Sequence, residues 1–185
     1  MSRTADSFTL KRRSAGLVWA GLAGLLMLTS AQPVGAARAR NLTLNELTNS
    51  STAVAVVRVQ RSEGEWRDGR ILTRHEARVE QTWIGSLPSA IELGTLGGVV
   101  GELGQQVSGQ INLKAGERLV VFLVWDSRSE TYRLRGGTNG VCWVSTSADG
   151  NVRVRGDLTA SVLLDDSLPT LDELRFLVDE VKREN

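Results

Sequence analysis

The sequence predicts a small, mainly β domain, a barrel or a sandwich, with a short N-terminal helix and a C-terminal helix. Three observations carry this prediction. Short β-prone runs recur from residue 52 to residue 155, each bounded by turns rich in Gly, Asp and Ser. The most apolar of them, Arg118–Trp125 (RLVVFLVW), is launched by the turn Ala115-Gly116-Glu117, directly after a glycine-rich stretch over residues 97–110. Near the end, Leu171, Leu174, Leu177, Val178 and Val181 fall at three- and four-residue spacing, the stripe of a helix that docks one face.

The elements follow in order. Thr43 and Glu46 have capping-box spacing, which predicts a short helix over Leu44–Asn49. Thr52–Arg61 (TAVAVVRVQR) is a first strand, and its continuous Val/Ala run predicts cover on both faces. Polar Ser62–Gly69 reads as a hairpin loop. Arg70–Ile84 is a long strand with Ile71, Thr73, His75, Ala77, Val79, Gln81 and Trp83 on one face. The other face, Arg74, Glu76, Arg78 and Glu80, alternates in charge and calls for cross-strand pairing in water. After a turn at Gly85–Ser89, Ala90–Leu96 is a third strand, with Gly94 as a bulge position. The glycine loop and the strand 118–125 come next. Asp126–Glu130 is a hairpin turn, Thr131–Arg135 a fifth strand, Gly136–Gly140 a turn and Val141–Thr146 a sixth strand. Ala148–Asn151 contains the Asp-Gly pair that hairpins favour, and Val152–Arg155 is a seventh strand. Residues 156–168 are an irregular link. A helix over 170–183 follows, capped by Thr170 with Glu173 three residues on.

The first 36 residues are expected to be a signal peptide rather than part of the fold. Lys11-Arg12-Arg13 precedes an uncharged run of 14 residues, Ala15–Leu28, and Val34-Gly35-Ala36 places small residues before a cleavage site. Cleavage before Arg40 is a second candidate, and an uncleaved membrane anchor is the bland alternative. The arginine pair is a weak match to twin-arginine export, and no Cys stands near the site to make a lipoprotein. Residues 37–185 are then a single domain, secreted or periplasmic, that meets the membrane only transiently through its signal peptide. Without the four basic residues and one acid of residues 1–36, 18 basic and 20 acidic side chains remain, net −2. That balance gives no global reason to seek nucleic acid. Cys142 is the only cysteine, so the core must hold without an internal disulfide.

The order of features resembles a group of secreted bacterial proteins of unknown function. It runs from a Val-rich strand through the Trp66-Arg67-Asp68-Gly69-Arg70-Ile71 hairpin and a strand ending in Trp83-Ile84-Gly85 to Gly97-Gly98. Gly116-Glu117-Arg118-Leu119-Val120-Val121-Phe122-Leu123 and Tyr132-Arg133-Leu134 complete it. The likeness spans roughly Leu42 to Val144. It departs at Gly140-Val141-Cys142-Trp143, where the group has a Gly-Lys-Phe-like ending. The resemblance implies a small OB-like β-barrel, related in shape to tissue inhibitors of metalloproteinases. It does not bring their mechanism. Those inhibitors chelate the protease zinc through an N-terminal cysteine, and the mature chain here would begin at Ala37 or Arg40.

Chemistry is thinly represented. His75 is the only histidine, so no multi-histidine metal site can form, and its position on an apolar face reads as a hydrogen-bonded core residue. A Cys142 nucleophile paired with His75 is the one covalent arrangement available, and nothing local activates the thiol; a buried inert Cys or an intermolecular disulfide are the other readings. The glycine loop lacks both the Gly-Lys-Ser/Thr of a phosphate loop and the βα setting of a dinucleotide loop. Its glycines read as turns and close strand approach. Asn41-Leu42-Thr43 and Asn49-Ser50-Ser51 match glycosylation acceptors by chance. Asp165-Asp166 reads as a solvated pair. Binding is better represented. Trp66, flanked by Glu65, Arg67 and Asp68, is the candidate exposed aromatic contact. Arg133, Arg135, Arg153 and Arg155 point one way on two short strands, and would make a basic strip if those strands are neighbours. The expectation is a non-catalytic binding module, without cofactor, toward an envelope or secreted protein. A structural envelope protein without a discrete ligand is the alternative, and a hydrolase comes third.

Overall fold

A computed structural model describes residues 42–158 and 168–184. The signal-peptide segment and Asp165-Asp166 lie outside them. The described chain is mainly β: one seven-stranded sheet, one two-stranded ribbon and two α-helices.

Helix α1 (Leu44–Ser50) is opened by the expected capping box. The Thr43 hydroxyl accepts from the Glu46 N–H, and the Glu46 carboxylate accepts from the Thr43 N–H. Strand β1 runs from Ala53 to Arg67, six residues past the expected end at Arg61. The polar segment 62–67 is therefore strand, not loop. It pairs residue for residue with β2 (Arg70–Ile84) up to Arg67 opposite Arg70, so only Asp68 and Gly69 make the turn. Both have positive φ, 50° and 75°, as a two-residue type I′ turn requires. Asp68-Gly69 closes a long arm whose composition is polar because much of it faces water.

β3 (Ala90–Leu96) pairs antiparallel with β2 in unbroken register from Leu72–Leu96 to Arg78–Ala90. Gly94 is therefore not a bulge. Its missing side chain serves another end: a Cβ there would press on the Thr131 hydroxyl at 3.2 Å, where a neighbouring strand passes. The glycine stretch folds into a small ribbon, β4 (Gly98–Val100) with β5 (Leu103–Gln105), where a loop was expected. It is tied to β2: the Thr73 hydroxyl donates to the Gly97 carbonyl (2.6 Å), and the Ile71 N–H donates to the Gln105 side-chain oxygen (2.6 Å).

β6 (Arg118–Asp126), β7 (Thr131–Leu134), β8 (Val141–Thr146) and β9 (Val152–Arg155) lie close to their expected limits. A 3₁₀ turn, Gly137–Gly140, separates β7 from β8. β1 pairs with β2 on one side and β6 on the other, β2 with β3, and β6 with β7. β3 and β7 run parallel, at Leu93–Tyr132 and Gly94–Arg133. The pairings that leave β1 through β2 thus return to it through β6, and β8 and β9 extend the sheet beyond β6.

Two cores result. Ala53, Ala55, Val57 and Val59 of β1 meet Leu93 of β3 and Leu119, Val121 and Leu123 of β6 in the first. The alternate residues, Val54, Val56, Val120 and Phe122, meet Leu47 of α1 and Leu171, Leu174 and Val178 of α2 (Leu171–Arg183) in the second. The Val/Ala run of β1 is buried on both faces, as its composition predicts. The expected inward face of β2 holds only in part. Ile71, Thr73, His75 and Ala77 are buried, Gln81 is exposed, and Trp83 packs against the second core. Register shifts in the β1–β2 ladder turn that end of the strand away from the first core.

Candidate functional site

His75 has no exposed surface, and its ring is fully engaged. Nδ1 lies 2.7 Å from the Ser62 hydroxyl and Nε2 lies 2.9 Å from the Thr95 hydroxyl. Ser62 also reaches the Leu113 carbonyl at 3.1 Å. Burial pushes the imidazole down from 6.5 to about 4, against a weaker pull from Glu117. It is a neutral cross-brace between β1, β2 and β3. Cys142 belongs to the second core and is fully buried. Burial, with the nearby Asp157 charge, pushes its thiol up to about 12, so it stays protonated. Among the described residues no group of three or more His, Cys, Asp and Glu side chains could hold a metal ion.

The basic strip is not formed. β7 pairs with β6 and β3, whereas β9 pairs with β8, so two strands stand between Arg133–Arg135 and Arg153–Arg155. Arg153 is committed to Asp149 (3.1 Å) and the Leu168 carbonyl (3.0 Å). Arg135 donates to the Ser50 hydroxyl of α1. Arg155 is exposed on β9. Trp66 is half-exposed at 51 %. Strand alternation sets it on the opposite face of β1 from Arg67.

Arg133 does have basic company, from elsewhere. A cleft of about 370 Å³ opens between the β1–β2 turn, the end of β3 and the β6–β7 turn. Arg67, Arg70, Arg128 and Arg133 line it, with Asp68 and Asp126. Gly94 lies on its wall, beside the paired Leu72 and Leu96. Elsewhere on the sheet, several arginines are paired with carboxylates. Arg58 and Arg118 bracket Glu80 at 2.9 and 2.6 Å, and Arg74 donates to both Glu65 and Glu92. Among the described residues, the guanidinium groups of Arg67, Arg70 and Arg128 in the cleft have no acidic partner, and Arg133 alone of the four has one, Asp126 at 3.5 Å. The Arg128 N–H holds the Asp126 carboxyl below its ordinary range, with help from Ser129 and Arg133.

Arg67 and Arg70 are moreover directly opposite across the two-residue turn. Like charges in that relation repel and weaken a ladder. A negatively charged ligand between them would turn that cost into binding energy, since guanidinium forks take carboxylate, sulfate or phosphate two bonds at a time. Sequence reasoning missed this group because its members come from three separate turns and strands. The one signal within reach was the Arg-Asp-Gly-Arg turn itself, with two arginines forced to face each other.

No protein-family model matches this chain, and no protein of curated function matches it in sequence.

Proposed function

We propose that this chain is a non-catalytic binding module acting outside the cytoplasm, built on an OB-like barrel, and that the arginine cleft is its ligand site. The barrel reading rests on the cyclic pairing of β1, β2, β3, β7 and β6 and on the parallel contact between β3 and β7. In OB barrels ligands bind across the second and third strands, between the loop joining strands one and two and the loop joining strands four and five. The Asp68-Gly69 turn and the Ser127–Glu130 turn occupy those two places here, and the cleft lies between them. One observation carries the ligand's charge: three arginines without acidic partners among the described residues, and a fourth only loosely paired, converge on one concavity. The ligand is an anion with more than one negative group.

The test is thermal unfolding of the purified protein with added tripolyphosphate, a small multivalent anion. The expected result is a rise in Tm that is lost in a variant carrying both Arg67→Gln and Arg128→Gln. No rise, with the protein sedimenting as a large assembly, would overturn the reading in favour of a structural envelope protein. A rise kept by the double variant would place the site elsewhere.

A further inference from the structure

The arginine cleft does not end at Leu96. A second cavity of about 500 Å³ runs from there along the β4–β5 ribbon, and the two share Thr95, Leu96 and Gln110 as a common wall. The two cavities adjoin at that wall and are taken together as one groove whose ends differ in chemistry. The far end holds no charge. Gln105, Gln106, Gln110 and Asn112 line it. A side-chain amide both donates and accepts hydrogen bonds, as a sugar hydroxyl does. The Gln105 side-chain oxygen accepts from the Ile71 N–H at 2.6 Å, which leaves its NH₂ to donate. Gly97, Gly98 and Gly104 line the same end; Gly97 and Gly98 lack side chains because the Gln105 carbonyl and the Thr73 hydroxyl occupy that space, which packs the ribbon tightly against β2.

We infer that this groove binds an acidic oligosaccharide, its hydroxyls along the amide-lined end and its carboxylate or sulfate groups on Arg67, Arg70, Arg128 and Arg133. The inference rests on the proposed anion site and adds the neutral half of the ligand. A small anion would need the arginines alone. An acidic peptide offers the amides only one N–H and one C=O per residue, whereas each sugar ring offers several hydroxyls that both donate and accept, and poly-glutamate separates the two in the experiment. A single-stranded nucleic acid needs aromatic side chains on which its bases stack, and neither cavity has one among its lining residues.

The experiment is calorimetric titration of the purified protein with a homogeneous uronic-acid hexasaccharide, a neutral hexasaccharide, and poly-glutamate of matched charge. Expected is saturable binding of the uronate, with at least tenfold weaker binding of the other two. Arg67→Gln with Arg128→Gln should weaken uronate binding tenfold or more. Gln106→Ala with Asn112→Ala should weaken it severalfold and leave any poly-glutamate binding unchanged. Poly-glutamate binding as tightly as uronate, with the amide variant silent, overturns the oligosaccharide and leaves the anion site standing. Failure of all three ligands, or equal binding of the neutral sugar, overturns both.

Discussion

His75 should make this protein lose stability as pH falls through the range where histidine ordinarily titrates. The imidazole is completely buried, with both ring nitrogens at hydrogen-bonding distance from hydroxyls, and burial lowers it from 6.5 to about 4. Between those values the unfolded chain takes up a proton that the folded chain refuses. The contribution is therefore complete above pH 6.5 and declines steadily as pH drops toward about 4. At roughly 1.4 kcal/mol per pH unit, the full loss is about 3 kcal/mol, a large part of the stability of a domain this size. The assay is urea unfolding from pH 8 to pH 4 of the native chain and of His75→Gln. The variant is less stable at neutral pH, because it disturbs the bonds to Ser62 and Thr95, but its pH dependence lacks the histidine's share. The two curves should converge by about 3 kcal/mol on acidification. The sequence has one histidine, so its NMR signals are unambiguous and should not titrate above pH 5. Parallel stability curves, or a ring titrating near 6.5, would refute the reasoning.

Other outcomes can be stated alongside it. Glu80→Gln should cost about 2 kcal/mol in chemical denaturation, because it removes the negative charge and one of the two oxygens that accept from Arg58 and Arg118, the groups that outweigh burial and keep this carboxyl below its ordinary range. Cys142 should resist a thiol reagent in the native protein and react only at the rate of unfolding; prompt modification under native conditions would contradict its burial. Phe122→Ala should cost about 3–5 kcal/mol, since the ring has no exposed surface and its removal hollows the second core. Gly69→Val should cost about 1–2 kcal/mol through left-handed backbone strain alone, because no atom stands within 4 Å of the added Cβ.

Much of the architecture was legible because it is written locally. The two capping boxes, the Val/Ala strand and the 3-4 stripe of the last helix each need only a few neighbouring residues, and α2 buries Leu171, Leu174 and Val178 as that stripe requires. The misreadings have physical causes. Segment 62–67 reads as a loop because it is polar, yet a strand in an arm with a solvated face needs no apolar pattern, and the Asp-Gly pair marks the true turn. Gly94 read as a bulge because a glycine in a strand has two uses, and only the placement of β7 beside β3 decides between them. Of the cleft arginines only Arg133 was singled out. Its companions are brought to it by pairings between strands distant in sequence, and no local pattern encodes those. Arg153 and Arg155 share its residue type, but two strands, β6 and β8, stand between their strand and β7.

β1 carries a further consequence. Its first residues are apolar on both sides, alanines and valines alternating between the two cores. Sliding the strand by one residue would exchange the two sets and still bury hydrocarbon on both faces, so oil-and-water sorting alone cannot tell the correct alignment from its neighbour. The alignment has to be read off elsewhere, from features that tolerate no shift: the two-residue turn at Asp68-Gly69, and the arginine–glutamate clasps Arg58–Glu80 and Arg74–Glu65 that bridge β1 and β2. The polar arm thus works as a vernier for the greasy half of its own strand. Errors in the arm would surface as misfolding far from it, in a core whose own residues are unchanged.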